Sequence, residues 1–309
     1  MQRFKNILLV DECDRATLDR TAELARNNRA RLTVVQVVKE MPPPWRQLSL
    51  GGAPLDLQEL AIEECRSRLE KFVRPLQQTG IQTSTKVLVG TPFLEIIREV
   101  ISNQRDFVIM TAEGKGGLKE RLFGSTSLHL MRKCPCPVWV MKPTQHRRFP
   151  QILAAVDPDP EDSTRDALNA TILQLAASLA VQEKAELHVI HAWKLLYENL
   201  MRGHGGFTET EIRNCAASEE RRHRHTLNAL LAQHVEGAAT THLIEGDAEV
   251  VIPHFTRIHQ IDLLVMGTVC RTGIPGFFIG NTSEVILDEV DCSVLTVKPE
   301  GFVSPVKPA

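Results

Sequence analysis

Short apolar runs alternate along the chain with longer segments in which apolar residues recur at helical spacing. In the first half the runs that predict strands are Lys5–Val10, Leu32–Val38, Thr83–Val89, Phe107–Thr111 and Val138–Met141. The segments that predict helices are Arg15–Asn27, Asp56–Gln78, Pro92–Asn103 and Gly124–Lys133. A stretch rich in proline and glycine, Met41 to Pro54, is predicted to be a loop. Strands that are apolar throughout indicate a parallel sheet with helices on both faces.

The second half repeats this alternation of strands and helices. Its predicted strands are Ile152–Val156, Glu186–Ala192, Thr240–Ile244, Asp262–Gly267 and Ser293–Val297. Its predicted helices are Asp162–Ala180, Thr208–His234, Glu249–Ile258 and Gly280–Glu289. Each half therefore predicts one five-stranded, flavodoxin- or Rossmann-like α/β sandwich.

The two halves also match residue by residue. A shift of 156 positions places Met110 on Met266, Gly124 on Gly280, Cys136 on Cys292 and Lys142 on Lys298. Near the start of each half the shift is 146 positions, from Asp11 to Asp157. Such self-similarity indicates a tandem duplication, with domains at 1–145 and 149–309 and a short polar, basic linker between them.

Composition narrows the class of protein. Of 309 residues, 43% are hydrophobic and 24% charged, which is typical of a globular protein. The formal net charge of −2 gives no general attraction to nucleic acid. No apolar stretch approaches the ~18 residues of a membrane span, and seven scattered cysteines do not form a disulfide framework. We therefore expect a cytoplasmic protein.

Ligands of open parallel sheets bind beyond the carboxyl ends of the strands, where the strand order reverses. An aspartate ends the first strand of each half, at Asp11 and Asp157. Its carboxylate can accept hydrogen bonds from a base or a ribose. The alternative, with equal weight, is that each aspartate only caps the helix that follows.

Glycines and hydroxyl residues follow the fourth strand of each half. They are Gly114, Gly117, Gly124, Ser125, Thr126 and Ser127 in the first half, and Gly267, Gly280, Asn281, Thr282 and Ser283 in the second. Glycine lets the backbone approach an anion, and the start of a helix presents free N–H groups to it. Plain helix capping is the alternative, but recurrence of the pattern favours a phosphate site.

These residues resemble the universal stress protein family, whose nucleotide-binding members carry Gly-x2-Gly-x9-Gly-Ser/Thr after strand four and an aspartate after strand one. The resemblance covers nearly the whole chain, twice. The second half's Gly-Thr-Val-Cys-Arg-Thr-Gly-Ile, followed by Gly280 to Glu284, is similar to the signature of tandem, E-type members. The resemblance implies an adenine nucleotide alpha hydrolase-like fold, ATP or another adenine nucleotide as a non-obligatory ligand, and a regulatory role in the stress response without enzymatic activity.

The resemblance also implies where each part of a nucleotide would lie. Adenine and ribose are expected near Asp11 and Val37 or near Asp157 and Ala192, with the phosphates at the glycine segment and the helix start. Each half departs from the pattern once, because Thr111 stands at its first glycine in one half and Cys270 at its second in the other. A side chain there takes up space that phosphate needs, so binding by only one half stays open.

Other motifs predict structure rather than chemistry. Cys134 and Cys136 do not supply the four ligands of a metal site, and His223 and His225, flanked by arginines, are interpreted as a solvated basic face. No pattern announces catalytic residues.

Three functions remain in order of preference. The first is a nucleotide-binding regulator with an unknown protein partner. The second is a carrier or sensor of an apolar, lipid-like ligand, suggested by Cys270 and Phe277-Phe278, and the third is a slow ATPase. The last strands, Val138–Met141 and Ser293–Val297, are predicted to pair within the chain as a pseudo-dimer, and a homodimer is left open.

Overall fold

A computed structural model of the protein describes residues 3–10, 14–50, 53–77, 80–112, 123–143, 148–159, 161–203, 206–268 and 280–308. The chain divides into two compact units. The first comprises the described residues up to 143 together with 302–308, and the second comprises 148–268 and 280–301. The domain limits 1–145 and 149–309 stay a proposal. Residues 302–308 group with the first unit and not with the second.

The first unit is a parallel sheet with helices. Its strands are β1 (Asn6–Val10), β2 (Arg31–Val38), β3 (Gln47–Leu50), β4 (Ala53–Asp56), β5 (Thr83–Val89), β6 (Phe107–Thr111) and β7 (Val138–Met141). Its helices are α1 (Arg15–Asn28), α2 (Pro43–Arg46), α3 (Leu57–Gln77), α4 (Pro92–Ser102) and α5 (Ser125–Lys133). Five strands pair in the order β7-β6-β1-β2-β5, all parallel. Strand order therefore reverses between β1 and β6.

The prediction of a loop from Met41 to Pro54 is wrong. This stretch contains the short helix α2 and the antiparallel pair β3 and β4. Proline inside a helix usually ends it, but Pro43 is the first residue of α2, where its missing N–H costs nothing. The two residues between the strands are both glycine, the composition that short hairpin connections favour.

The second unit repeats this parallel sheet. Its strands are β8 (Gln151–Ala155), β9 (Glu186–Trp193), β10 (Thr240–Glu245), β11 (Leu263–Gly267) and β12 (Ser293–Val297), and its helices are α6 (Ser163–Glu183), α7 (Glu198–Gly203), α8 (Glu209–His234), α9 (Ala248–Ile258) and α10 (Asn281–Glu289). The strands pair in the order β12-β11-β8-β9-β10, all parallel. The sequence did not predict α7. The predicted α/β class with a five-stranded parallel sheet in each half is confirmed.

The sheets bury their strands almost completely. In β1 the apolar residues Ile7, Leu8 and Leu9 are fully buried, as are Leu263, Leu264 and Val265 of β11. These runs are apolar at every position because helices cover both faces of a parallel sheet. Burial on both faces fixes the strands, and so holds their carboxyl ends in register.

Helix α6 is longer than its counterpart α1. It has 21 residues against 14, and both end at a left-handed residue, Lys184 in α6 and Arg29 in α1. The seven additional residues, nearly two turns, therefore lie at the amino end. That end is capped by Asp162, whose side chain accepts from the Arg165 N–H, as Asp14 caps α1.

Searched over the described residues, no helix has the length and hydropathy needed to span a membrane.

Candidate functional site

A cavity of about 620 Å³ opens at the carboxyl ends of β8 and β11 in the second unit. We call it the second-unit pocket. It lies where the strand order reverses, as expected for a ligand site in this architecture. Residues of the predicted site that line it are Asp157, Ala192, Gly267, Gly280, Asn281, Thr282 and Ser283. The fold therefore brings together the described second-half residues that the sequence singled out.

The backbone of Asp157 is held by Asn169 of α6. The Asp157 N–H donates to Asn169 Oδ1 at 3.1 Å, and Asn169 Nδ2 donates to the Asp157 carbonyl at 2.9 Å. Asn169 is only 2% exposed. Two hydrogen bonds from one buried amide fix the orientation of the residue after β8, which leaves its carboxylate at the pocket.

The Asp157 carboxylate faces a cation on α6. Arg165 Nη1 lies 3.6 Å from Asp157 Oδ2 and 2.9 Å from Asp159 Oδ2, and Arg165 Nε lies 3.5 Å from Asp162 Oδ2. One guanidinium therefore serves three carboxylates. This end of the pocket keeps hydrogen-bond acceptors for a ligand.

Gly267 ends β11 and allows α6 to pack closely. A Cβ atom at this position would lie 2.8 Å from Leu168 Cδ2 and 3.6 Å from Ile172 Cδ1. A side chain here would therefore have to displace the end of the Leu168 side chain, so the glycine favours close helix packing as well as leaving space for a ligand. In the sequence, a glycine after a strand does not distinguish this packing role from a role in a phosphate motif.

The start of α10 forms the other end of the pocket. Gly280 is its N-cap residue and has no side chain to accept from the first turn. Ser283 Oγ donates instead to the Gly267 carbonyl at 3.2 Å, which joins the helix start to the end of β11. Asn281 and Thr282 are exposed. N–H groups at such a helix start are suited to an anion.

The first unit has a related but different arrangement. Thr111 ends β6, and its hydroxyl donates to Thr17 Oγ1 of α1 at 3.4 Å. At the equivalent position of the second unit, Gly267 packs against α6. Gly124 is the N-cap residue of α5, and the buried Ser127 donates to its carbonyl at 2.9 Å.

Other predicted residues of this half are placed as follows. Val37 is half-buried near the end of β2, Ser125 is exposed and Thr126 half-buried. Asp11, Gly114 and Gly117 lie outside the described residues, as does Cys270 of the second half. Site roles in both halves stay predictions.

Sequence reasoning missed the contribution of α6. The pocket is lined by four residues from the seven by which α6 is longer than α1: Thr164, Arg165, Leu168 and Asn169. Asn169 occupies the position of Asp14, the N-cap residue of α1. The sequence did carry one signal of this contribution, because the predicted helix Asp162–Ala180 has 19 residues and its counterpart Arg15–Asn27 has 13.

The interpretation of His223 as part of a solvated face is wrong. Its side chain is 20% exposed, and its Nδ1 lies 2.9 Å from Nε2 of the buried His191 on β9. His225, two residues further along α8, is exposed, because residues two apart point in different directions around a helix. The sequence of α8 alone does not show that a strand residue contacts one of the two rings.

The two cysteines of the Cys-Pro-Cys motif are buried, with their sulfurs 3.6 Å apart. The hydrogen bond with Cys134 and burial raise the pKa of the Cys136 thiol well above its usual value. Among the described residues no group of three or more metal-ligating side chains is suited to a metal ion. Both thiols therefore fit the apolar interior of the first unit.

Together these features define a tandem α/β protein with a ligand-sized pocket at a sheet switch point. A model of the universal stress protein family matches residues 3–142 and again residues 148–298. The chain therefore belongs to the universal stress protein family.

The most similar proteins include tandem members. Universal stress protein E of Escherichia coli strain K12 is 32% identical over 312 residues, which cover 99% of this chain and 98% of that protein. Universal stress protein E of Photorhabdus laumondii is 25% identical over 330 residues, covering 100% and 99%. A solved structure of a functionally unknown protein from Pseudomonas aeruginosa PAO1 is 26% identical with a TM-score of 0.75 and covers 97% of this chain and 95% of that one. The chain is thus a tandem protein of the E type.

Proposed function

We propose that the second unit binds an adenine nucleotide in its pocket, and that the chain is a regulatory binding protein of the stress response rather than an enzyme. The observation that carries the proposal is the convergence of three elements on one cavity. These are the Asp157 carboxylate, the end of β11 at Gly267, and the glycine-capped start of α10. Ligand state would then alter contacts with a protein partner.

The two ends of the pocket differ in chemistry, and so do the two ends of a nucleotide. Asp157 supplies acceptors for the donors of ribose and base, and the α10 start supplies N–H groups and a positive dipole end for phosphates. Apolar side chains, among them Leu168, Ile172 and Ile252, also line the pocket and are suited to contact with a flat base. The volume of about 620 Å³ lies within the usual range for small-ligand sites.

The hydroxyls of the pocket are suited to binding rather than nucleophilic chemistry. Ser283 donates to a backbone carbonyl, so its oxygen is not activated by a base. The pocket carboxylates are shared with Arg165. These contacts support a binding function.

A substitution at the first helical position tests the site without weakening the helix. Asn281→Asp places a carboxylate at the start of α10, where it favours the helix dipole but repels phosphate. We expect it to weaken ATP binding, measured by calorimetry, by at least about tenfold. Ser125→Asp is the matched variant at the start of α5 and should leave binding by the second unit unchanged.

Three results would contradict the proposal. They are an absence of ATP binding at millimolar concentration, equal binding by Asn281→Asp and wild type, and loss of binding in Ser125→Asp alone. The last would move the occupied site to the first unit.

The apolar side chains of the pocket keep one alternative, a carrier of an apolar ligand. Native mass spectrometry of freshly purified protein distinguishes the two, because a carrier retains a co-purified apolar mass that ATP does not displace. A slow ATPase is the third reading. It requires phosphate release above that of heat-denatured protein, with loss of that release in Asp157→Asn.

A further inference from the structure

A buried histidine, His191, lies close to Asp157, and its ring contacts a second, partly buried histidine, His223. His191 of β9 is 1% exposed, and its Nδ1 lies 3.2 Å from the Val156 carbonyl oxygen and 4.0 Å from Asp157 Oδ1. Its Nε2 lies 2.9 Å from Nδ1 of His223 on α8. We call His191 and His223 the histidine pair. It connects the long helix α8 to the residue that the proposed function places against the ligand.

The contacts of the histidine pair fix its tautomers. A carbonyl only accepts, so His191 Nδ1 carries the proton and His191 Nε2 is the acceptor in the neutral ring. His223 Nδ1 must then donate to it. The remaining nitrogen, His223 Nε2, therefore has a free lone pair in the neutral pair, and it lies 3.8 Å from Glu219 Oε2. A proton added to His223 Nε2 would convert the repulsion between this lone pair and the Glu219 carboxylate into an ion pair.

The charged groups around the pair come from several elements. Glu219 and Arg222 flank His223 on α8, Asp157 follows β8, and Arg165 of α6 pairs with Asp157. Lys194, at the end of β9, pairs with Asp247 instead. Burial lowers the pKa of His223 and Arg222 lowers it further, whereas Glu219 and Asp157 raise it. The pKa of His223 is lowered overall, which favours its neutral ring near pH 7, although two carboxylates lie close to it.

The first unit has an uncharged pair at the same place. Gln36 follows Val35 in β2 as His191 follows Ile190 in β9, and each preceding residue pairs with the last residue of its central strand, Val10 or Ala155. Gln36 Oε1 accepts from Cys65 Sγ of α3 at 2.7 Å, and both side chains are buried.

The helical partners also correspond. Cys65 lies four residues before the fully buried Leu69, and His223 lies four residues before the fully buried Leu227. An amide and a protonated thiol carry no charge at neutral or acidic pH. The fold therefore accepts either pair, and only the histidines can titrate in the physiological range.

We infer that His191 and His223 are positioning residues of the second-unit site, and that they make its ligand binding weaken on acidification. This inference rests on the proposed function. When the pair is neutral, the His191 Nδ1–H donates to the Val156 carbonyl, and the ring carries no positive charge that would attract the Asp157 carboxylate. When the pair gains a proton, the imidazolium attracts Asp157 and competes with the donors of the ligand.

The test compares pH profiles of ATP binding in the full chain. Wild type should bind about three- to tenfold more weakly at pH 5.5 than at pH 7.5. The double variant His191→Gln with His223→Cys installs the uncharged pair that the first unit tolerates. Whatever its affinity at pH 7.5, the ratio of its affinities at pH 7.5 and pH 5.5 should lose most of the pH dependence seen in wild type. Protonation of ATP itself is common to both proteins and cancels in the comparison. His225→Gln, on the exposed face of α8, should keep the wild-type profile.

Identical profiles for wild type and the double variant would overturn the inference, as would an equal loss of pH dependence in His225→Gln. A second readout needs no ligand: nitrogen NMR of labelled imidazoles should show His191 protonated on Nδ1 at pH 7.5 and His223 titrating toward lower pH. A different His191 tautomer would also overturn the inference. If ATP fails to bind at pH 7.5 while the NMR result holds, the proposed function fails and the geometry of the pair stands.

Discussion

At one position of the sheet the first unit places Gln36 against Cys65, and the second places His191 against His223. The same contrast appears at a second place in each unit. In the first unit the buried Glu99 pairs with Arg105 and Lys86 at 2.6 Å each. In the second unit a cluster of three histidines and a phenylalanine occupies the related region: His188, His242, His259 and Phe255.

These differences concern polar interior side chains and leave the apolar framework intact. The first unit pairs a buried carboxylate with a guanidinium and an ammonium group. The second places imidazoles in the related region, and histidine is the side chain whose ordinary pKa lies between pH 5 and 8. A duplicated fold can thus keep its buried apolar strands and still change its response to pH, because polar side chains in the interior can be replaced without changing the strands.

The largest expected effect comes from breaking the charged network of the first unit. Glu99→Gln leaves the guanidinium of Arg105, which is 12% exposed, without its carboxylate. We expect the free energy of unfolding of the first unit to fall by about 3–5 kcal/mol. Hydrogen exchange of peptides from each half, followed in denaturant, measures it. Lys86→Gln removes the half-exposed partner and should cost under about 1 kcal/mol; equal costs would show that burial does not decide the effect.

Exchanging the residues at the end of the fourth strand should affect the second unit more than the first. Gly267→Thr brings a side chain against Leu168, because even a Cβ atom would lie 2.8 Å from its Cδ2. We expect a loss of about 1–3 kcal/mol in the second unit, together with weaker ATP binding. The reverse exchange, Thr111→Gly, removes one hydroxyl contact and should cost about 1 kcal/mol. A wild-type thermal midpoint for Gly267→Thr would contradict this account of the glycine.

Acidification should destabilise the second unit before the first. Burial is the main cause that lowers the pKa of His188, His223 and His242. A lowered pKa means that the unfolded chain binds more protons as pH falls below about 6.5, so stability is kept above that pH and lost below it. Among the histidines in the described part of the first unit, His129 alone has a pKa that burial lowers.

We expect the midpoint of the second unit to fall by about 5 °C more than that of the first between pH 7.5 and pH 5.5. Hydrogen exchange during thermal unfolding at the two pH values separates the halves. An equal shift in both halves, or a larger one in the first, would show that the histidines do not control acid stability.

The smallest expected effect concerns the matched caps Asp14 and Asp162. Each side chain accepts from the third N–H of its helix, at 2.7 Å from Thr17 and 3.0 Å from Arg165. Asp14→Ala and Asp162→Ala should each cost about 1 kcal/mol in their own half, measured by urea denaturation. Asp162→Ala also removes one carboxylate from Arg165 and should therefore change ATP affinity, whereas Asp14→Ala should leave ATP binding by the second unit unchanged. The opposite pattern would place the occupied site in the first unit.

Much of the fold could be predicted from the sequence, because apolar runs and helical spacing reflect burial directly. Strands Thr83–Val89, Phe107–Thr111, Val138–Met141 and Ser293–Val297 have the predicted bounds. The hairpin formed by β3 and β4 was missed, since proline and glycine mark both loops and the tight turns of hairpins. Helix α7 was missed because its six residues are too few to show a period.

The candidate site was predictable only in part. Asp157, Gly267 and Gly280 were identified because their residue types and positions after strands carry a chemical meaning. Arg165 and Asn169 were not, since they are ordinary helix residues in sequence and reach the pocket only because α6 begins nearly two turns earlier than α1.

By itself, the sequence determined the duplication and the parallel sheets, because these follow from burial patterns and from the order of strands, and it predicted the edge at which a ligand is proposed to bind. Tertiary structure alone decided which side chains meet across elements. Nothing in the spacing of His191 and His223 indicates contact, and their rings meet because a strand and a helix distant in sequence pack together. Packing also gave Gly267 its second role, as the place where α6 approaches β11.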